Sequence, residues 1–183
     1  MPPLLKENML EISIAFKKRN QKKLRKLNDH VLRSAVIEFS KPWYILAVLS
    51  YVLGKITSKP RYLKKEMEKF MFPIEECLDD IAKNANRYDE VAWIEAFSNV
   101  ELKIKNLESG DPRFINGLMT KGKLKVAATL YAQGISLGLA AEMTGMNKQD
   151  VQNYAGKTMM FDRIKEEQPI LERMKNARRL IHG

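Results

Sequence analysis

The sequence contains few of the residues that build disulfide frameworks or metal sites. Its 183 residues include one cysteine, Cys77, and two histidines, His30 and His182. A single cysteine excludes an internal disulfide and is typical of a reducing compartment, so we expect a cytoplasmic protein. Neither histidine stands at a spacing typical of a metal-binding or nucleophilic site. We therefore predict no metal, no cofactor and no enzymatic activity.

Long hydrophobic runs are also missing. The longest apolar stretch, PWYILAVLSYVLG (42–54), is too short to cross a bilayer and is expected to form a helix buried on most sides. Charged residues appear as early as Lys6 and Glu7, which is unlike a signal peptide. These observations predict a protein without a membrane partner.

Acidic residues are outnumbered, and the charge is unevenly distributed. The formal net charge is +10. Residues 1–60 carry 12 Lys and Arg against 4 acids, residues 61–110 carry 8 against 11, and residues 111–183 carry 12 against 7. A basic surplus favours a polyanionic partner, because Lys and Arg that neutralise phosphates release condensed counterions. The acidic middle indicates that different surfaces serve different partners.

Apolar residues recur at intervals of three and four rather than two, which predicts an all-α fold. A helical bundle for dimerisation or sensing is expected over residues 1–108 and a linker over 109–122. A smaller helical unit is expected over 123–158, and a C-terminal helix, kinked at Pro169, over 159–183. We expect the bundle to begin with one long helix from Leu4 to Phe39.

Two later helices of the bundle carry specific expectations. Pro73 should kink or split one of them, and Cys77 lies in its apolar stripe as a small buried residue. The next helix has an apolar seam at steps of four and three, formed by Trp93, Phe97, Val100, Ile104 and Leu107. Such a seam requires a partner helix within the bundle or across a dimer, and it favours a homodimer.

Residues 135–156, ISLGLAAEMTGMNKQDVQNYAG, indicate two short helices that meet at a tight turn. Gly134 suits the left-handed end of the helix that precedes this segment, and Gly145 suits the left-handed end of the first of the two short helices. Ser136 and Asn147 suit the N-caps of the two that follow. The preceding helix is expected over 123–133. The predicted core positions are Leu139, Ala140 and Met143 in the middle helix and Val151 and Tyr154 in the last one.

This segment resembles the helix-turn-helix of prokaryotic DNA-binding proteins. That motif has a small residue in its first helix, a glycine four positions later and a β-branched aliphatic six further on, as Ala141, Gly145 and Val151 do here. The phrase LYAQGISLGLAAEMTGM is also similar to the short motif of antitoxin-like regulators. Thr144 departs from the pattern, which usually has a more apolar residue there. The resemblance covers residues 123–157 and implies a DNA-binding transcriptional regulator that binds paired half-sites as a homodimer.

The resemblance also implies which side chains would contact DNA. Amide side chains can pair with adenine, and lysine can reach guanine or a phosphate. The side chains facing the major groove would be Asn147, Lys148, Gln149, Gln152 and Asn153. Flanking lysines would hold the phosphate backbone without reading sequence, at Lys121, Lys123, Lys125 and Lys157.

Other interpretations remain open. The basic run KKRNQKKLRK (17–26) is either the solvated face of a helix or a strip that binds nucleic acid without sequence preference. The carboxylates of Glu75, Glu76, Asp79 and Asp80 would form a solvated face that receives a basic surface of another subunit. The chain could instead be a protein-interaction module, antitoxin-like or a scaffold. A cavity between bundle helices would give a regulator its effector site.

Overall fold

A computed structural model describes residues 3–38, 40–110, 117–163 and 171 of the chain. These residues form nine α-helices and three short 3₁₀ segments, and none of them lies in a strand. The predicted all-α fold is confirmed. The predicted C-terminal helix lies outside the described residues, apart from 159–163 and 171.

The chain divides into two compact units, residues 1–123 and 124–183. The first unit contains α1 (Pro3–Lys17), α2 (Gln21–Glu38), α3 (Lys41–Thr57), α4 (Glu68–Asn84) and α5 (Glu90–Ser109). Its 3₁₀ segments are Pro60–Leu63, Lys65–Met67 and Ala85–Arg87. Helix α6 (Leu118–Ala132) begins in the first unit and continues into the second, which also contains α7 (Leu137–Thr144), α8 (Lys148–Lys157) and the single turn α9 (Met160–Arg163).

Helix α3 is buried on most sides, as its apolar sequence predicts. Pro42 occupies its first turn, where the missing N–H would have had no partner within the helix. Trp43 is fully buried. From α2, the amide of Asn28 donates to Ala47 O at 2.8 Å and to Ser50 Oγ at 2.9 Å. A buried polar contact therefore joins α2 to α3 in addition to their apolar contacts.

The apolar seam of α5 is buried at Trp93, Phe97, Val100, Ile104 and Leu107. Helix α5 packs against α3 and α4, which belong to the same unit. The Trp93 ring lies 5.2 Å from the Phe97 ring and 5.8 Å from the Tyr88 ring, centroid to centroid. Of the two partners predicted for the seam, the structure shows helices of the same bundle. The seam is therefore buried within the first unit and does not support a homodimer.

The single long helix predicted over residues 4–39 is wrong, because a turn separates α1 from α2. Arg19 has a left-handed backbone with φ 52°. Asn20 then caps α2, and its side-chain oxygen accepts a backbone N–H three residues on at 2.9 Å. Arg19 donates to Phe16 O at 3.0 Å and pairs with Glu75 at 2.6 Å. These contacts offset a left-handed backbone that costs roughly 1–2 kcal/mol.

The acidic residues of α4 are engaged by this same turn. Asp79 pairs with Lys17 and also accepts the hydroxyl of Ser13 at 2.7 Å, while Glu75 pairs with Arg19. Burial by itself would raise the pKa of Asp79, but the hydrogen bonds from Lys17 and Ser13 hold that pKa below its ordinary value. The expectation that these acids receive another subunit is therefore wrong for Glu75 and Asp79, whose basic partners lie in their own unit.

Two expectations about α4 also need correction. The helix runs without interruption through Pro73, so the predicted split does not occur. Pro73 has no N–H to donate within the helix, and buried apolar side chains on both sides of it hold the helix against the core. Cys77 is half-buried rather than buried, because the inward positions are Ile74, Leu78 and Ile81. Burial still raises the pKa of the Cys77 thiol.

Helix α6 begins earlier than its sequence predicts. Its first residue is Leu118, inside the predicted linker 109–122 and ahead of the expected start at Lys123. The cause is the side chain of Glu108, whose carboxylate accepts the backbone N–H of Leu118. A carboxylate at this position satisfies an unpaired N–H and also suits the positive end of the helix. The cap lies ten positions away along the chain, so local spacing does not reveal it.

Candidate nucleic-acid interface

The turn between α7 and α8 has the geometry that its residues predict. Ser136 Oγ accepts the Leu139 N–H at 3.2 Å and caps the start of α7. Gly145 ends α7 with a left-handed φ of 67°, and Gly134 ends α6 with φ 99°. Asn147 Oδ1 accepts a backbone N–H at 2.8 Å and caps α8. The two predicted N-caps and the two predicted left-handed glycines are confirmed.

Small side chains allow the helices of the second unit to pack closely. Ala141 of α7 and Val151 of α8 are buried, with 3% and 0% of their surfaces exposed. They belong to one apolar cluster with Ala127, Ala128, Ala132, Ala155 and Met160. Of the three positions predicted to build the motif, Ala141 and Val151 are therefore buried in one cluster, and Gly145 forms the left-handed turn between them.

The inward face of α7 differs from the prediction. Of Leu139, Ala140 and Met143, only Ala140 is buried, and Ala141 and Thr144 occupy the other inward positions. The small Ala141 side chain packs in the cluster around Val151, which turns the two larger residues towards the edge. The Thr144 hydroxyl donates to Ala140 O at 2.7 Å. A buried threonine is tolerated at this apolar position because its hydroxyl is satisfied by the preceding turn.

Three amide side chains lie exposed on one face of α8, at Gln149, Gln152 and Asn153. Gln149 Nε2 donates to Asn153 Oδ1 at 3.0 Å, across one helical turn. This bond leaves the Gln149 oxygen available as an acceptor and the Asn153 nitrogen as a donor. Sequence reasoning identified the three amides but not the bond between two of them, although their i, i+4 spacing permits it.

The lysines predicted to contact DNA, in the groove or at the backbone, have different environments. Lys148 and Lys157 are exposed at the two ends of α8, and no ion pair among the described residues involves either of them. Lys125 is half-buried, with its Nζ 3.2 Å from the Met160 sulfur. Lys121 and Lys123 belong to the first unit, where Lys123 pairs with Glu101 at 3.1 Å. Of the lysines predicted to contact DNA, three therefore lie in the second unit: Lys125, Lys148 and Lys157.

The inner side of α8 anchors its polar face. Tyr154 packs against the apolar cluster of the second unit, and burial raises the pKa of its phenol. Its backbone carbonyl accepts the hydroxyl of Thr158 at 2.7 Å, just after the helix ends. The next residue, Met159, has a left-handed backbone with φ 48°. The inner face of α8 is thus packed against the apolar cluster, and hydrogen bonds cap both of its ends. Its outer side chains therefore extend from a helix with a fixed position in the second unit.

The basic run 17–26 does not form one continuous helical strip. It crosses the turn at Arg19, and carboxylates engage three of its cations, in the pairs Lys17–Asp79, Arg19–Glu75 and Lys23–Glu11. These pairs reduce the positive charge that the run offers to a polyanion. Lys18, Lys22, Arg25 and Lys26 remain exposed.

The first unit has an open cleft between two of its bundle helices. A space of about 480 Å³ lies between α4 and α5 and is lined by Glu76, Cys77, Asp80, Tyr88, Glu95 and Asn99, among others.

Within the described part of the chain, no three His, Cys, Asp or Glu side chains are placed to hold a metal ion. Among the described helices, none combines the length and apolar character needed to cross a membrane. His30 is exposed, and His182 lies outside the described residues.

Comparison with models of known protein families gives no match to this chain. Comparisons with curated proteins and with solved structures give none either. Among the described features of the chain, the polar face of α8 most closely fits a recognisable chemistry.

Proposed function

We propose that the protein binds DNA and regulates transcription in the cytoplasm, with α8 as its reading helix. One observation carries the proposal: three amide side chains are exposed on a helix that is fixed from behind by a capped, tightly packed turn. An amide offers a donor and an acceptor side by side, and that pattern matches the major-groove edge of adenine. A rigid helix lowers the entropic cost of presenting these groups to a base.

The Gln149–Asn153 hydrogen bond supports a reading role because it arranges the amides before DNA arrives. The pair would present an acceptor from Gln149 and donors from Asn153 within one turn of helix. Gln152 lies beside them and is free to rotate towards a neighbouring base pair. Ordering two side chains in advance reduces the rotamer entropy lost on binding.

Positive charge supports the same proposal. Lys148 and Lys157 would contact phosphates at the two ends of α8, and the half-buried Lys125 would contribute beside them. Contacts of this kind position the helix but carry no sequence information. Each phosphate neutralised on a duplex steepens the fall of log affinity with log salt by roughly 0.9.

The proposal includes a homodimer, because helix-turn-helix proteins bind two half-sites about one DNA turn, roughly 34 Å, apart. The buried seam of α5 is not its interface. Sedimentation of the free protein and of the protein mixed with DNA tests this point. A protein that remains a monomer when bound to its selected DNA would contradict the homodimer but not the reading by α8.

The direct experiment measures fluorescence anisotropy on a random DNA pool and on DNA upstream of the protein's own gene, at several salt concentrations. The test variant is Gln149→Ala/Gln152→Ala/Asn153→Ala. A control, Asn86→Ala/Asn106→Ala, removes exposed amides from the first unit instead. We expect selective binding by the wild type and the control, and loss of selectivity in the test variant with a similar salt slope.

Two results would contradict the proposal. Weak binding that all three proteins share would mean that charge alone attracts DNA and that the amides read nothing. An absence of binding at low salt would exclude DNA as the partner. If binding is weak and shared by all three proteins, neutralising Lys18, Lys22, Arg25 and Lys26 tests nonspecific binding through the basic run. Affinity should then fall in that variant and in none of the other proteins.

A protein-interaction role is the second candidate, and one observation favours it. Met159 and Phe161 expose 62% and 53% of their surfaces just beyond α8. Large exposed apolar side chains are enriched where proteins meet. Substituting both residues with serine would abolish binding to a protein partner, whereas DNA reading through the amides would persist.

A further inference from the structure

The glycines within helices of this protein differ in what an added methyl group would meet. At Gly122 of α6, a Cβ would lie 2.5 Å from Val52 Cγ2, so close packing requires glycine there. At Gly138 of α7 a Cβ would meet the side chain of Lys148 at 3.6 Å. At Gly156 of α8 a Cβ would meet no atom of the described residues within 4 Å.

Backbone conformation does not explain Gly156 either. The described glycines with positive φ are Gly134 and Gly145, so Gly156 has a conformation that any residue adopts. In the middle of a helix a glycine is less favourable than alanine by roughly 0.5–1 kcal/mol, and in the last turn, where Gly156 lies, the cost is smaller but has the same sign. Inside the described protein, this loss of stability at Gly156 brings no packing or conformational gain.

The position of Gly156 indicates what it serves. Residues 149, 152, 153 and 156 follow the spacing i, i+3, i+4 and i+7, which places Gly156 on the exposed amide face of α8. The next residue is the exposed Lys157. At Gly156 the backbone of α8 is therefore bare on the face that carries the amides and next to a cation.

We infer that Gly156 is a close-approach position, where the C-terminal half of α8 lies against the sugar–phosphate backbone of DNA. This inference rests on the proposed DNA-binding function and deepens it by adding a positioning residue. Without a Cβ, a phosphate can approach the helix surface, where Lys157 would offset the partial negative charge of the helix C-terminus. A methyl group at Gly156 would hold the phosphate away and tilt the amide face out of the groove.

The distinguishing test is Gly156→Ala, because the inference predicts opposite effects on stability and on binding. The variant should melt at a higher temperature than the wild type, since alanine is the better helix former. Its affinity should fall about tenfold on both random and selected duplexes, because a phosphate contact is shared by all sequences. Thermal unfolding and fluorescence anisotropy measure the two effects on the same preparations.

Gly54→Ala is the matched control. Gly54 is a helical glycine of α3 in the first unit, and its Cβ would meet Leu24 at an ordinary 3.8 Å. This variant should also gain thermal stability, but it should bind DNA as the wild type does. The comparison separates the effect of a stiffer chain from the effect of a methyl group on the reading face.

Each other outcome overturns the inference in a recognisable way. A Gly156→Ala protein that binds as tightly as the wild type would show that nothing approaches closely at this position, while leaving DNA binding intact. A lower melting temperature would show that the glycine serves the fold itself. A wild-type protein that binds no DNA would overturn the proposed function together with this inference.

Discussion

The two units differ in how they use their polar side chains. In the first unit, charged groups satisfy one another: the turn between α1 and α2 pairs with α4 through Lys17–Asp79 and Arg19–Glu75. In the second unit, the exposed polar side chains of α8 instead face outward, and the Gln149 side chain donates to that of Asn153. Net basic charge alone would have pointed to the basic run of the first unit. Three of the seven cations in this run are already paired with carboxylates, and the candidate reading face lies instead on α8, a helix with less charge.

This comparison predicts that removing a core residue of the first unit has the largest effect. Trp93 is fully buried in the seam of α5, so Trp93→Ala should destabilise the protein by about 3–5 kcal/mol through lost burial and a cavity. Leu102, 53% exposed on the same helix, provides the control, and its alanine variant should lose less than about 0.5 kcal/mol. Urea unfolding at two protein concentrations measures both. A loss that depends on protein concentration would place the seam at a subunit interface.

A change at the turn of the second unit should have the next largest effect. Gly145 has φ 67°, and a Cβ there would meet none of the described residues. Gly145→Ala should therefore cost about 1–2 kcal/mol from backbone conformation alone. Gly145→Asn should lose clearly less, because asparagine tolerates the left-handed region better than alanine. Equal stabilities for the two variants, measured by thermal unfolding, would rule out this conformational explanation.

The pairing of charges in the first unit predicts a smaller, pH-dependent effect. Folding lowers the pKa of Asp79, so its stabilising contribution is complete above the unfolded-state value, about 3.9, and disappears as pH falls through the folded-state value. Asp79→Asn should cost about 0.5–1 kcal/mol at neutral pH, because solvent screens this partly exposed pair. The difference from the wild type should vanish near pH 2, as urea titrations would show. A difference that persisted at that pH would mean that the charge of Asp79 contributes little.

The smallest effect on stability is expected at the amides. Replacing Gln149, Gln152 and Asn153 with alanine should change the free energy of unfolding by less than about 0.5 kcal/mol. The lost hydrogen bond is offset by the better helix propensity of alanine. Thermal unfolding of the triple variant checks this value. A large destabilisation would mean that these side chains serve the fold of the second unit, and the contrast between the two units would then disappear.

Local features of the fold were predictable from sequence, and contacts between distant residues were not. Ser136, Gly145 and Asn147 act within two to four residues of their own positions, so spacing was enough to place them. The cap on α6 comes from Glu108, and the pairs of α4 join residues more than fifty positions apart. No local pattern reports such contacts.

The turn at Arg19 shows the same limit from another side. The residues around this turn, 17–21, include neither glycine nor proline, so their composition does not predict a left-handed backbone. Asn20 alone hinted at a helix start. At the candidate site, the outward amides followed from the helical period, whereas the bond between Gln149 and Asn153 and the open space at Gly156 required coordinates.

The most direct test of the account is selection of duplexes from a random DNA pool by the wild-type protein and by the triple amide variant, followed by sequencing. We predict that the wild type enriches a short motif containing adenine at the positions that α8 reads, and that the variant enriches none while retaining salt-dependent binding. Recovery of the same motif by both proteins, or of no motif by either, would contradict the claim that the amide face of α8 reads DNA.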